Sequence, residues 1–399
     1  MGEDLSSRTQ AQRPLISIFN PIGRRLVAVL FYFKSPLATI MATSIGIGLI
    51  GCGGIALANH VPGIGLCKDA RIEGLCDANP AVLQRAVQQT GVGFSTSNYQ
   101  ELLANDRIHA VVIATPNIMH GPIALAAIQA GKHVLCEKPI AMNVAEAESM
   151  RAAAAKAGVR HMTAFTYRFV PAMRYIAHLV REGAIGTPYH FRAQRFQDWG
   201  SRNLAWRQVA AMAGTGELGD MLSHRIDFAH LLMGEFSRVV ARLKLFIPER
   251  GGQPSDLDDW VSILGDFKNG ATGVLESSKL ITGGGEGGQS RDLCEVNGSD
   301  GTLIYELGRP FEVRRGRKGS SALEPIPVPR EFLAWPGSNR DPYATEPLIG
   351  FRYDQDVEFV QAILEQRDCC PSFADGVRAQ QVMDAAVLSD REQRWVSLS

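Results

Sequence analysis

The stretch that most constrains this sequence is an apolar run, Ile45–Ile50, that passes directly into Gly51-Cys52-Gly53-Gly54-Ile55-Ala56. An apolar run of that length bounded by glycines reads as a buried strand, and the G-x-G-x-x-A after it marks a turn from strand to helix. Each residue type fits a task. Gly51 permits the tight turn, and Gly53 lets backbone approach a pyrophosphate. Ala56 keeps helix and strand close, and the helix N-terminus stabilises phosphate charge. Plain strand-to-helix turns also use glycine, so the flanks matter. Leu75-Cys76-Asp77 ends the next strand-like run and sets a carboxylate where an adenosine ribose hydroxyl would bind. The candidate dinucleotide contacts are therefore Gly51, Cys52, Gly53, Gly54, Ile55 and Asp77. A carboxylate repels a 2′-phosphate, and Ala78, Asn79 and Pro80 offer no basic clamp, so NAD is expected rather than NADP.

Further strand-like runs lie at Ile72–Cys76, Ala110–Ala114, His133–Cys136 and Met162–Thr166, separated by helical patterns such as Ala81–Gln89, Ile123–Ala130 and Val144–Ala157. Such alternation means βαβ units and a doubly wound parallel sheet, here an α/β Rossmann domain over 44–166. Past Tyr167 the texture changes. A helix carries Met173, Ile176, Ala177 and Val180, and longer strand-like runs follow at Tyr189–Gln197, Val239–Phe246, Trp260–Phe267, Ala271–Ser278, Asp292–Val296 and Thr302–Glu306. Turn residues between several of them imply a large open, mostly antiparallel sheet in an α+β domain over 167–399. A helix over Gly216–Met233 interrupts the strands, and two more, 353–365 and 375–389, close the chain. Segments 282–288 and 315–348 read as surface loops rich in Gly and Pro.

At 399 residues, two domains are the natural division. Lys plus Arg and Asp plus Glu both number 41, so no net charge draws in nucleic acid or an anionic membrane. Seven cysteines without C-x-x-C spacing point to reduced thiols in a cytoplasmic protein. Residues 1–43 carry a twin arginine, Arg24-Arg25, before the short apolar run Leu26–Phe33. We read this segment as a disordered extension or a start codon set too far upstream rather than an export signal, because Lys34 ends the run and the first strand follows with little room for a cleavage site.

Three more stretches carry chemistry. Ala114-Thr115-Pro116-Asn117 with His120, and Cys136-Glu137-Lys138-Pro139, both follow strands whose carboxyl ends face the ligand in a doubly wound sheet. Thr115, Pro116, Asn117, His120, Glu137 and Lys138 are thus candidate cofactor contacts. The third stretch runs from Gly216 to Asp227 and sets Asp220 and His224 four residues apart, on one helix face. With the glycine turn, T-P-N-x-x-H, E-K-P, Arg168-Phe169-x-Pro171 and D-x-x-x-H in this order, the sequence resembles the glucose–fructose oxidoreductase, inositol dehydrogenase and rhizopine-catabolism (Gfo/Idh/MocA) family from Ser44 onward.

That resemblance implies a dehydrogenase that moves a hydride between a sugar or polyol hydroxyl, or its ketone, and a nicotinamide cofactor. It implies Lys138, Asp220 and His224 as the catalytic set, and an open sheet that pairs copies into a homo-oligomer, dimer or tetramer. Alcohol oxidation needs a base for the hydroxyl proton, and a neutral imidazole suits it. His224 is then the base, with Lys138 stabilising the oxygen; a lysine of lowered pKa is the alternative base, and spacing does not separate them. Asp220 either binds a substrate hydroxyl or orients the imidazole. Arg168, Trp199, Trp206, Arg207 and Arg225 are candidate substrate contacts, with Gln197 and Asp198 nearby. Departures from the pattern are Ala213-Gly214-Thr215-Gly216 at the helix entry and Leu222 where relatives often have glycine. Pro139 raises the question of a cis bond that aims Lys138. No metal site is expected, since Asp220, His224 and Asp227 lack a further ligand at fitting spacing. His60, His109, His161, His178, His190 and His230 sit in none of these motifs and receive no role. Two rival readings share the fold: a glycosidase that retains its NAD and shows no net reduction, and a nucleotide-binding regulator without chemistry.

Overall fold

The computed structural model describes residues 44–286, 289–344 and 346–398. The readings made for 1–43, and part of the loop at 282–288, lie outside the described residues. Two sheets organise the remainder. The first contains β1 (Ile45–Ile50), β2 (Ala70–Cys76), β3 (Ser95–Thr96), β4 (Ala110–Ile113), β5 (His133–Cys136) and β6 (His161–Thr163), in the order β3-β2-β1-β4-β5-β6 with all pairs parallel. Every residue of β1 is buried, which explains its unbroken apolar sequence: helices cover both faces. The order reverses between β1 and β4, so their carboxyl ends open the crevice where such folds bind ligands.

Local chemistry sets the helix ends. Asn79 caps the helix Pro80–Thr90 by accepting from Ala81 N at 3.0 Å, and Gly91 ends it in the left-handed region. Asn143 caps Val144–Ala157 through Glu146 N, and Ser372 and Asp375 form a capping box at Phe373–Glu392.

The second sheet is mixed and mostly antiparallel. Its strands are β7 (Pro188–Phe196), β8 (Phe236–Lys244), β11 (Trp260–Phe267), β12 (Thr272–Ser278), β13 (Arg291–Gly298), β14 (Gly301–Glu306), β15 (Glu312–Arg317), β16 (Glu324–Pro327) and β17 (Val396–Ser397). β9 (Glu249–Arg250) and β10 (Gln253–Pro254) form a separate small hairpin. β7 and β12 pair in parallel at the centre, while the other pairs are antiparallel. One correction concerns 315–348. It is not all loop, because β15 and β16 extend the sheet at its edge, where proline and glycine are tolerated. The helix reading for Gly216–Met233 also changes: a π-turn, Leu218–Leu222, precedes the α-helix Ser223–Met233.

Alternate residues of the large sheet point inward. Phe191 and Ala193 from β7, Val261 and Ile263 from β11 and Cys294 and Val296 from β13 are all buried. They share one apolar core with β1 and with Phe165, Tyr167, Phe169 and Phe351, which join the two sheets.

Candidate active site

The glycine turn is built as its residue types require. Gly51 has φ +90°, and a Cβ there would sit 2.5 Å from the carbonyl oxygen of Ala114. A Cβ on Gly53 or Gly54 would meet no heavy atom within 4 Å, so both open onto free space. Asp77 accepts from Cys52 N and Asn79 N, one carboxylate oxygen each at 2.8 Å, which fixes its rotamer and leaves lone pairs for a ribose hydroxyl. The Cys52 thiol is buried and pushed up to about 12 by burial and by Asp77, so it stays protonated.

A cavity of about 290 Å³ lies between this turn and the helix entry at Gly216. It is lined by Gly53, Gly54, Ile55, Thr115, Asn117, His120, Glu137 and Lys138, and from the far side by Trp206, Arg207, Asp220 and His224. These sequence candidates therefore converge. Gly51, Cys52, Asp77 and Pro116 support the turns without lining the cavity. Thr115 Oγ1 and Asn59 Nδ2, both in the wall, are buried without a hydrogen-bond partner. A cradle of open glycines, a carboxylate beyond β2 and unsatisfied polar atoms in the wall fit a dinucleotide.

Lys138 follows β5, and its peptide bond to Pro139 is cis, as the E-K-P motif raised. Its Nζ donates to Asp220 Oδ1 at 2.9 Å and to the Asp220 carbonyl oxygen at 2.7 Å. Burial pushes the Asp220 carboxyl up, but Lys138 foremost, then Arg207 and Lys279, bring it down to about 2. The side-chain partner of Asp220 is thus Lys138, a pairing that neither role expected for it, binding a substrate hydroxyl or orienting the imidazole, had included. Asp258 anchors the departing helix entry, accepting from Gly216 N at 2.7 Å and Leu218 N at 2.8 Å. His224 is 3% exposed, lies edge-on to Tyr167 at 4.6 Å, and has no partner at its buried Nδ1. Burial holds the imidazole well below its usual value, reinforced by Lys138, Arg225, Arg352 and Arg195, so the ring is neutral.

His120 braces two loops, its ring nitrogens 2.8 Å from Pro139 O and 3.0 Å from Thr115 O. Asn117 Nδ2 donates to Ala213 O at 2.9 Å, joining the first loop to the helix Ala210–Ala213.

Three substrate candidates lie elsewhere. Arg168 binds both oxygens of Asp227 and reaches Asp375 at 2.8 Å, a buried ion network outside the cavity wall. Arg225 is fully buried against Asp292 and the Tyr167 ring. Trp199 packs under Lys279 and Arg202.

Sequence reasoning missed Tyr167, Arg352 and Asn59 in the wall, and His60 behind it. His60 is fully buried between Asp356 Oδ1 at 2.8 Å and Glu137 Oε1 at 3.2 Å. Glu137 in turn accepts from Lys138 N at 3.1 Å. Burial lowers an imidazole, but the two carboxylates outweigh it and raise His60 to about 10. One imidazolium cannot balance two acids: Glu137 is held below its usual range, while burial pushes Asp356 above it. Tyr167 had one available signal, its place beside the quoted Arg168-Phe169-x-Pro171; His60 and Arg352 had none.

Comparison with known proteins agrees with this geometry. Residues 45–165 match the model of an oxidoreductase family with an NAD-binding Rossmann fold, and 173–304 match the C-terminal domain of GFO/IDH/MocA proteins. The chain is 34% identical to levoglucosan dehydrogenase of Pseudarthrobacter phenanthrenivorans, over 81% of this chain and 88% of the relative. It is 29% identical to glucose-6-phosphate 3-dehydrogenase of Bacillus subtilis, over 88% of this chain and 98% of the relative. A solved levoglucosan dehydrogenase in complex with NADH and levoglucosan superposes with a TM-score of 0.81 at 32% identity, covering 89% of this chain and 99% of that one.

Proposed function

The chain belongs to the Gfo/Idh/MocA family of NAD-binding oxidoreductases, and on that premise we propose how its residues oxidise a sugar or polyol hydroxyl. The carrying observation is the convergence, in one cavity, of an ion-paired lysine, a neutral buried imidazole and the open glycine turn. When bound, NAD supplies the hydride acceptor. As the carbinol carbon gives up its hydride it would become a carbonyl carbon, and His224 takes the hydroxyl proton. Nδ1 of His224 is sealed and unpartnered, so the proton is taken at Nε2. Lys138, kept in place by Asp220, donates to the reacting oxygen and stabilises its developing negative charge. The neutral imidazole and the ion-paired lysine support the division in which His224 is the base and Lys138 the electrostatic partner. Asp77 holds the adenosine ribose, and Gly53 and Gly54 make room for the pyrophosphate.

Residues 44–166 form the cofactor domain and 167–399 the substrate and oligomerisation domain. The containment of each sheet within one of these ranges supports the division. Leu264, 44% exposed on the face of the large sheet opposite buried Val261 and Ile263, supports pairing between copies through that face. All seven cysteines are free, which supports a cytoplasmic location. No helix among the described residues is long and apolar enough to cross a membrane.

The test is spectrophotometric: NAD with a panel of sugars, polyols and anhydrosugars, with Lys138→Ala and His224→Ala beside the unaltered chain. Reduced nicotinamide that accumulates with one substrate class and is lost in both variants supports the assignment; equal rates in the variants remove it.

A further inference from the structure

Most charges in the cavity wall are matched. Lys138 has Asp220, and Glu137 has His60. Arg207 and Arg352 line the same cavity, yet the side chain of neither makes a hydrogen bond or ion pair with any described residue. Arg207 lies over the Trp206 ring at 4.4 Å, and Arg352 packs 5.8 Å from the ring centres of Tyr167 and Phe351. The Nε of Arg352 is buried without a partner. Behind them Arg195 and Arg225 share one carboxylate, Asp292.

A half-buried guanidinium with no acceptor is costly, and its planar fork matches a carboxylate or phosphate. A concave wall with two unmatched cations concentrates positive potential in the cavity. The dinucleotide's own phosphates do not meet this demand at Arg352. They belong at Gly53 and Gly54, whereas Arg352 stands with Tyr167 and His224 at the catalytic end. The relatives named above leave the matter open, since their names include a neutral anhydrosugar and a sugar phosphate.

We propose that the substrate is an anionic sugar, carrying a carboxylate or phosphate that Arg352 and Arg207 grip while His224 and Lys138 act on a hydroxyl elsewhere on the ring. The inference rests on reading this cavity as a sugar dehydrogenase centre. It has an electrostatic corollary: the bound anion offsets the cations that help burial keep His224 neutral, and so raises the proton affinity of the base once substrate is in place.

The experiment uses the full chain and matched probes: D-glucose, D-glucuronate, D-gluconate and D-glucose 6-phosphate. Two readouts are taken. One is kcat/KM for NAD reduction at low and high salt. The other is quenching of tryptophan fluorescence when each probe binds the NADH-loaded protein, which needs no turnover. An acidic probe is expected to exceed glucose by about ten- to a hundredfold in both, with the margin shrinking in salt. The carboxylate and phosphate arms identify which anion is read. Arg352→Gln and Arg207→Gln narrow the margin, and Arg352→Lys, which keeps charge without the fork, restores part of it. Anion-selective binding without any turnover upholds the anion site while removing the dehydrogenase reading. Glucose equal to or better than every acid in both readouts, or a margin unchanged in the arginine variants, overturns the proposal.

Discussion

Lys138 Nζ is held twice by one residue, 2.9 Å from the Asp220 carboxylate and 2.7 Å from the Asp220 backbone carbonyl. The first contact supplies counter-charge and the second supplies direction. Together they fix a flexible side chain from the loop after β5 against the π-turn that opens the His224 helix. Substituting Asp220→Asn keeps the backbone contact and removes the charge. The expected outcome is a folded protein, by circular dichroism, with kcat lowered on the order of a hundredfold and NAD affinity little changed.

Asp77 is braced by two backbone N–H groups, so its position does not depend on the cofactor. Asp77→Ala is expected to raise Kd for NAD about tenfold, the worth of one charge-assisted hydrogen bond, and to shrink the preference for NAD over NADP. Fluorescence titration with both reduced cofactors checks this. An unchanged preference would show that Asp77 does not read the ribose.

His60 links pH to stability. Its folded pKa is raised from 6.5 to about 10, so its contribution is fully present below pH 6.5 and is lost as pH rises toward 10. Glu217, fully buried against Ser277, is raised to about 8 and adds a loss between pH 4.5 and 8. The thermal midpoint is therefore expected to fall steadily above pH 6.5. His60→Gln strands Glu137 and Asp356 in the interior and should cost about 3–5 kcal/mol. It should also make the fall of the midpoint between pH 8 and 9 shallower, where His60 titrates and the buried thiols, raised from 9.0, do not yet contribute. Differential scanning calorimetry across that range measures both effects.

Arg168 illustrates how far the sequence was legible and where it stopped. The glycine turn, Asp77, Glu137-Lys138-Pro139, Asp220 and His224 were readable because each depends on neighbours within a few positions: a strand end, a turn or one helix face. Arg168 was legible as a motif member but not as to its partner. Its carboxylates lie on other elements, Asp375 being 207 positions away. The His60–Asp356 contact spans 296 positions and has no local signature. Arg352 reaches the wall only because Tyr167 and Phe351 pack together across the core. Strands β15 and β16 escaped because edge strands tolerate the glycines and prolines that read as loop.

The ion network gives Arg168 a distinct expectation from a substrate residue. Arg168→Met takes the two-pronged partner from buried Asp227, leaves Asp375 with Arg378 alone, and should lower stability by about 3–5 kcal/mol. Denaturant titration gives that loss. Among molecules still folded, KM for the sugar should stay within about twofold of the unaltered value, since the side chain lies outside the cavity wall.

Net oxidation is tested most directly by stoichiometry over many turnovers. With the best substrate from the panel and NAD in large excess over protein, NADH and the carbonyl product should accumulate together, mole for mole, far beyond the protein concentration. A sugar product formed while NADH stays at or below one equivalent per protein would contradict it, and would assign the same Lys138, Asp220 and His224 to a reaction in which NAD is reduced and reoxidised without leaving.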